Sequence, residues 1–188
     1  MEENSRSYGK METIVGPMYA GKTSELLKKI LWLNYQNLKI LVVKPTIDDR
    51  YANDKIVTHT KQSFSCLSLE NLCDIFLDKY LYENHTIFID EIQFFKLNDV
   101  RHSVEALLEN GINIIAAGLD QDSSGVPFES SAYALAMSDT VTKITSFCNV
   151  CGQPATKTYK INNTGNRVDV ASHGVYEARC LHHWTPVK

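Results

Sequence analysis

No run of apolar residues in this 188-residue chain is long enough to cross a bilayer. The first ten residues, MEENSRSYGK, also lack the apolar stretch of an export signal. Charge of one sign is scarce in excess: 19 Lys and Arg stand against 22 Asp and Glu, a formal net charge of −3. That balance gives no general attraction to a phosphate backbone, so composition argues against a nucleic-acid partner. The five cysteines are an odd count without an export signal, which argues against a disulfide framework. Internal repeats and low-complexity tracts are missing as well. Together these absences predict a soluble, cytoplasmic protein with neither membrane nor nucleic acid as partner.

What is present is an apolar content of 44%, enough for a real core. Residues 1–10 read as a mobile tail. Short apolar runs at 11–15, 39–45, 86–91 and 112–120 predict buried strands. Helical spacing predicts helices at 23–36, where Leu26, Leu27, Ile30, Leu31 and Leu33 recur near that spacing, at 69–81 and at 98–111. Strands alternating with helices imply a parallel sheet covered on both faces over residues 11–140. From 141 to 188 the segments are short, polar and poor in aliphatic residues. A small unit of that kind needs a metal staple.

Gly16-Pro17-Met18-Tyr19-Ala20-Gly21-Lys22-Thr23 fits G-x-x-x-x-G-K-[ST] without a gap, between an expected strand and an expected helix. The glycines let the backbone wrap close to phosphates with amide N–H groups pointing inward. Lys22 can reach the β- and γ-phosphates, the Thr23 hydroxyl can bind Mg²⁺, and the following helix aims its positive end at the anion. The stretch is read as a phosphate site.

TIFIDEIQFF, residues 86–95, supplies a second part. Asp90 stands at the carboxyl end of an expected strand, where a nucleotide site places its Mg²⁺ partner. Glu91 follows directly, and because side chains alternate along a strand, both acids serve one site only if the chain turns here. A carboxylate beyond the metal acid can take a proton from an attacking hydroxyl or from water. Gln93, Phe94 and Phe95 then enter the loop, and aromatics there suit a flat ring.

Cys148-x-x-Cys151 and Cys180-x-x-His183 form two knuckle-like pairs. Three thiolates and one imidazole close a tetrahedral Zn²⁺ site with no open position, so the metal is expected to be structural. His182 is the competing fourth ligand, and His183 is preferred because it repeats the two-residue gap. Cys66 and Cys73 have no partner at ligand spacing and read as core. From the residues alone, three functions stay open: a kinase, a P-loop ATPase whose DEIQ is like the DExx boxes of helicases, and a zinc-ribbon module that senses nucleotide without chemistry.

GPMYAGKT, DEIQFF, GLDQDSSGVPF and the CxxC…CxxH pairs, in this order from about residue 11 to 183, resemble the type II thymidine kinases. The resemblance implies a P-loop (RecA-like) α/β fold with a small C-terminal zinc-binding lasso domain. It implies transfer of the γ-phosphoryl of ATP to the 5′-hydroxyl of thymidine with Mg²⁺, a homotetramer, and feedback inhibition by dTTP. Carried onto this chain, residues 16–23 hold ATP, Thr23 and Asp90 hold Mg²⁺, and Glu91 is the general base. Asp48, Asp49 and Arg50 match the D-x-R loop that meets phosphate charge, and Gln93 joins the nucleotide site. Met18, Phe94, Leu119, Phe128, Thr158, Val168, Val170 and Tyr176 match positions around the nucleoside. The chain departs from the family pattern at Ser123, where an aromatic is usual, and at Ala171-Ser172, where the lasso carries a glycine.

Overall fold

The computed structural model describes residues 7–48, 55–57, 63–77, 86–161, 167 and 174–186. The apolar runs become strands in the places their composition predicts: β1 (Met11–Val15), β2 (Ile40–Pro45), β6 (Thr86–Ile89) and β7 (Asn113–Gly118). Between them lie short β3 (Lys55–Val57), β4 (Ser63–Ser65) and β5 (Leu67–Leu69). The helices are α1 (Lys22–Tyr35), α2 (Leu97–Glu109) and α3 (Glu129–Met137), followed by β8 (Thr140–Lys143). Among the described residues, six strands form one sheet in the order β5-β2-β6-β7-β1-β8, and every adjacent pair is parallel.

Alternation along the strands divides the core in two. Val43, Ile87, Ile89, Ile114 and Ala116 face one side, packed with Val100, Val104 and Leu107 of α2 and Ala134 of α3. Val42, Phe88, Ala117 and Ile14 face the other, packed with Leu26, Leu27 and Ile30 of α1. All four residues of β6 are buried, as expected for the middle of a parallel sheet covered on both faces. Each large aliphatic side chain so buried contributes about 1.5–3 kcal/mol.

Three expectations are corrected. The amphipathic helix read over 69–81 is instead β5 followed by a 3₁₀ segment, Leu72–Leu77. Leu69 is taken by pairing with Pro45 in β2, and Asn71 and Asp74 close a turn through Asn71 N–H to Asp74 Oδ2 at 3.1 Å. The buried pair Leu72 and Ile75 lies three residues apart, the period of a 3₁₀ turn rather than of an α-helix. Residues 78–81 fall outside the described residues. In α1, Leu31 is 42% exposed and so does not share the core face of Leu26, Leu27 and Ile30. Strands β6 and β7 also stop short of their expected ends, leaving Asp90, Glu91, Leu119 and Asp120 beyond the ladder.

The strand β8 joins the main sheet beside β1, so the sheet runs through residue 143. At the other end, Gly9 N–H donates to the Leu108 carbonyl at 2.8 Å and Lys10 N–H to Asn113 Oδ1 at 2.9 Å. Beyond β8, two small antiparallel pairs make up the C-terminal unit: β9 (Ser146–Phe147) with β10 (Pro154–Ala155), and β11 (Lys157–Lys160) with β12 (Tyr176–Arg179). Among the described residues its apolar cluster is small, Cys148, Ala155 and Ala178 with Cys180 partly buried against them, and Tyr176 is buried apart from that cluster. No helix among the described residues is long and apolar enough to cross a membrane.

Candidate active site

Because the sheet is parallel, the carboxyl ends of β1, β2, β6 and β7 open on one edge, and the residues just past each strand meet there. Residues 16–21 leave β1 and wrap back to start α1. Gly16 is buried so close to the Ile144 carbonyl that a side chain would collide with it. Tyr19 and Gly21 take left-handed backbone, φ 63° and 84°. Ala20 N–H turns back to the Pro17 carbonyl at 3.4 Å, and Ser146 Oγ donates to the Tyr19 carbonyl at 3.1 Å. Lys22 is 9% exposed, and its Nζ donates to the Pro17 carbonyl at 2.8 Å, which draws the ammonium across the mouth of the loop.

The acid pair sits opposite. Asp90 N–H still donates to Val43 in the sheet at 2.9 Å, whereas Glu91 turns away at φ 50°, ψ 42°. A non-glycine residue in that region costs about 1–3 kcal/mol and marks a position held by its surroundings. The Asp90 carboxylate holds the turn, accepting the Glu91 N–H at 3.0 Å. It also accepts the Thr23 hydroxyl at 3.2 Å, joining the start of α1 to the end of β6. The turn that both acids require in order to serve one site is therefore present, at Glu91 itself.

Gln93 holds the second acid. Its Nε2 donates to Glu91 Oε2 and its Oε1 accepts the Leu119 N–H at 3.0 Å, so one buried amide spans from β6 to β7. Gly118 makes this possible, because a Cβ there would collide with Gln93 Oε1. Glu91 and Gln93 are 7% and 6% exposed. Asp48 is buried just past β2, its N–H on the Pro45 carbonyl at 3.0 Å. Asp49, Arg50, Val168, Val170 and the Ala171-Ser172 pair lie outside the described residues.

Apolar candidates gather beside the acids. Phe94 and Phe128 meet edge to face with centroids 6.5 Å apart, and Leu119 follows β7 directly. Thr158 on β11 is buried and its hydroxyl accepts the Met18 N–H at 3.1 Å, which ties the C-terminal unit to the phosphate loop. Tyr176 is buried on β12, opposite Lys160.

The four expected metal-binding residues also come together. Cys148, Cys151, Cys180 and His183 place their ligand atoms within 4.8 Å of one another, and His183 faces the cysteines through Nδ1, 3.3 Å from Cys180 Sγ and 3.8 Å from Cys148 Sγ. Cys151 and Cys180 sulfurs are 3.8 Å apart. Thiolates about 2.3 Å and an imidazole about 2.0 Å from a tetrahedral zinc would stand about 3.5–3.8 Å from each other, so the donor set fits. His182 is outside the group and packs its ring against His183 instead. Gly152, at φ 71°, closes the first knuckle with its N–H on the Cys148 carbonyl at 2.8 Å. Burial pushes the Cys148 thiol up, but backbone hydrogen bonds of Cys180, Val150 and Cys151 and the Cys151 side chain outweigh it and bring it down to about 6. The Cys151 thiol is raised: its backbone bond with Gln153 lowers it, yet partial burial and the sulfurs of Cys148 and Cys180 prevail.

Sequence reasoning missed two groups at this edge. Arg167 lies 4.9 Å over the Phe128 ring and bonds Asp122 Oδ2 at 2.8 Å. Trp184 donates its indole N–H to the carbonyls of Ser123 and Thr158. Neither belongs to a spaced motif, so no local pattern in the sequence singles them out.

A model of the family described as thymidine kinase matches residues 9–184. Among solved structures, domain III of the replication initiation protein DnaA from Thermotoga maritima is 16% identical with a TM-score of 0.44, over 75% of this chain and 56% of that one. The Pif1 helicase from Candida albicans is 16% identical with a TM-score of 0.41, over 73% of this chain and 36% of that one. The chain thus spans about half or less of the length of these structures. With the family model matched from the residues before β1 to the residue after the last zinc-type ligand, the chain belongs to the thymidine kinase family.

Proposed function

We propose that the chain transfers the γ-phosphoryl of ATP to the 5′-hydroxyl of thymidine, giving dTMP for DNA synthesis. One observation carries the reading: the Thr23 hydroxyl meets the Asp90 carboxylate at 3.2 Å, with Glu91 turned toward the same edge by its left-handed backbone. The family match across residues 9–184 supports thymidine as acceptor.

In this reading the amides of residues 16–22 and the Lys22 ammonium hold the β- and γ-phosphates, with Asp48, Asp49 and Arg50 flanking them. Thr23 and Asp90 offer the hard oxygen donors that suit Mg²⁺, which when bound neutralises phosphate charge. Glu91 accepts the proton of the 5′-hydroxyl as that oxygen bonds to the γ-phosphorus and the bond to the leaving oxygen of ADP breaks. Gln93 keeps the Glu91 carboxylate in place while this happens. Met18, Phe94, Leu119, Phe128, Thr158, Val168, Val170 and Tyr176 surround the nucleoside. Cys148, Cys151, Cys180 and His183 hold a structural zinc that closes the segment between the pairs into a loop able to lie over a flat base.

Cytoplasmic location, feedback by dTTP and a homotetramer complete the proposal. Association is supported by the outer face of α1 and the residues after it, where Leu31, Trp32, Tyr35 and Leu38 are 42%, 64%, 85% and 41% exposed. The test is an assay of purified protein with ATP, Mg²⁺ and each common deoxynucleoside, with zinc determined on the same sample. ADP formation that depends on thymidine is expected. ATP hydrolysis stimulated by nucleic acid and indifferent to thymidine would overturn the reading.

A further inference from the structure

The turn that carries Phe128 into the site is built largely on one side chain. Asp122 Oδ1 accepts the N–H groups of Ser124 and Val126, both at 2.9 Å, and Phe128 N–H returns to the Asp120 carbonyl at 3.1 Å. Such a loop is closed on itself, but those bonds do not attach it to the rest of the site. The indole of Trp184 does. Its single N–H is shared between the Ser123 carbonyl on the turn, 3.2 Å, and the Thr158 carbonyl on β11, 3.1 Å. Gly125, at φ 81°, leaves room for the ring, since a Cβ there would stand 2.9 Å from Trp184 Cη2. Lys157 closes the arrangement, with Nζ 4.7 Å over the indole while donating to Gln121 Oε1 at 2.6 Å.

We propose that Trp184 is a positioning residue that ties the zinc-type knuckle to the base-side turn and to the phosphate loop, an inference that rests on the kinase reading above. The connection runs through Thr158. Its carbonyl accepts Trp184 while its hydroxyl accepts the Met18 N–H, so one residue joins the indole to the P-loop. Trp184 also follows His183 directly in the chain, so closing the knuckle fixes the backbone from which the indole reaches the turn. Phenylalanine could fill the same space but could not donate to either carbonyl.

Trp184→Phe and Trp184→Ala in the full chain, with zinc measured in each, test the tie. Loss of a donor shared by two partly buried acceptors is expected to raise the thymidine KM about 5- to 20-fold in W184F and further in W184A. The ATP KM should rise less than the thymidine KM, because the phosphate loop is also held by β1, α1 and the Ser146 hydroxyl, and the zinc content should not change. An unaltered thymidine KM, equal losses for both substrates, or loss of zinc would each overturn the proposal. A second measurement needs no turnover. The chain has two tryptophans, so Trp32→Phe leaves Trp184 as the only indole emitter. Its emission should move to longer wavelength when zinc is chelated and should respond to thymidine added without ATP; silence to both overturns the tie. A wild-type enzyme unable to phosphorylate thymidine would sink the kinase reading instead, and the chelation shift would still decide whether the indole follows the knuckle.

Discussion

The phosphate loop and the paired knuckles border the same site, yet different forces hold them. The loop leaves β1 between two neighbouring strands and enters a helix whose Leu26, Leu27 and Ile30 are buried against the sheet. The acids opposite it hang from β6, every residue of which is buried. Their geometry is inherited from a large apolar core. Among its described residues the C-terminal unit clusters two alanines and a cysteine, with a second cysteine at the margin and Tyr176 buried elsewhere, too little apolar surface to order four short strands. A structural zinc supplies about 10–16 kcal/mol in comparable small units, more than such a core can. One half of the site is thus a consequence of the fold, and the other, in the reading proposed above, a consequence of coordination chemistry.

The sharpest way to break this contrast is to remove the metal. Cys151→Ser, or chelation of the unaltered protein, should eliminate bound zinc and reduce thymidine phosphorylation to background. The α/β domain should keep its circular dichroism and its cooperative melt, because among the described residues its two core clusters include none of the knuckle residues. Activity retained in zinc-free protein would show that the C-terminal unit does not need the staple. Collapse of the whole chain would show that the halves are not held independently.

Next in size is the chemistry of the fold-borne half. Glu91→Gln keeps the left-handed turn and a hydrogen-bonding side chain but removes the carboxylate, so turnover should fall about 10²–10⁴-fold with ATP affinity nearly intact. Single-turnover transfer compared with binding of an ATP analogue separates the two quantities, and an unchanged rate would remove Glu91 as the base. Lys22→Ala should instead weaken ATP binding and transfer together, since in the proposed reading its ammonium serves the phosphates rather than the acceptor.

The same contrast explains what could be read from the chain. Strands β1, β2, β6 and β7 were legible because buried parallel strands are near-continuous apolar runs, and the phosphate loop because each fixed position answers a steric or electrostatic demand. The strand β8, with three of four residues exposed and only one apolar, carries no such signal and is recruited to the sheet edge by pairing with β1. The 3₁₀ segment misled because its apolar residues read together with Leu69 and residues 78–81 as one helical pattern, whereas Leu69 pairs in β5 and the buried pair Leu72 and Ile75 keeps the three-residue period of a 3₁₀ turn. At the site, cysteine spacing pointed to the four ligand-type residues. Long-range partners such as Gln93 with Leu119, or Trp184 with Ser123, depend on how strands are ordered in the sheet, which no local pattern encodes.

The smallest effect probes how finely the sheet positions the base. Gly118 has ordinary strand backbone, so alanine there creates no backbone strain; the added methyl acts only through space. It would collide with Gln93 Oε1 and stand 2.9 Å from Ile92 Cγ2. The amide can yield more readily than a packed isoleucine, and when it does, it releases both Glu91 Oε2 and the Leu119 N–H. The expected result for Gly118→Ala is a fall in kcat of about tenfold, roughly what one misplaced hydrogen-bonding partner costs. The melting temperature should fall by only a few degrees, and zinc content should be unaffected because Gly118 lies far along the chain from every knuckle residue. Gln93→Ala should give a similar kcat without the steric component. Equal kcat values in the two variants would place the whole effect in the amide, whereas a fully active Gly118→Ala would mean that Glu91 is held by something other than Gln93.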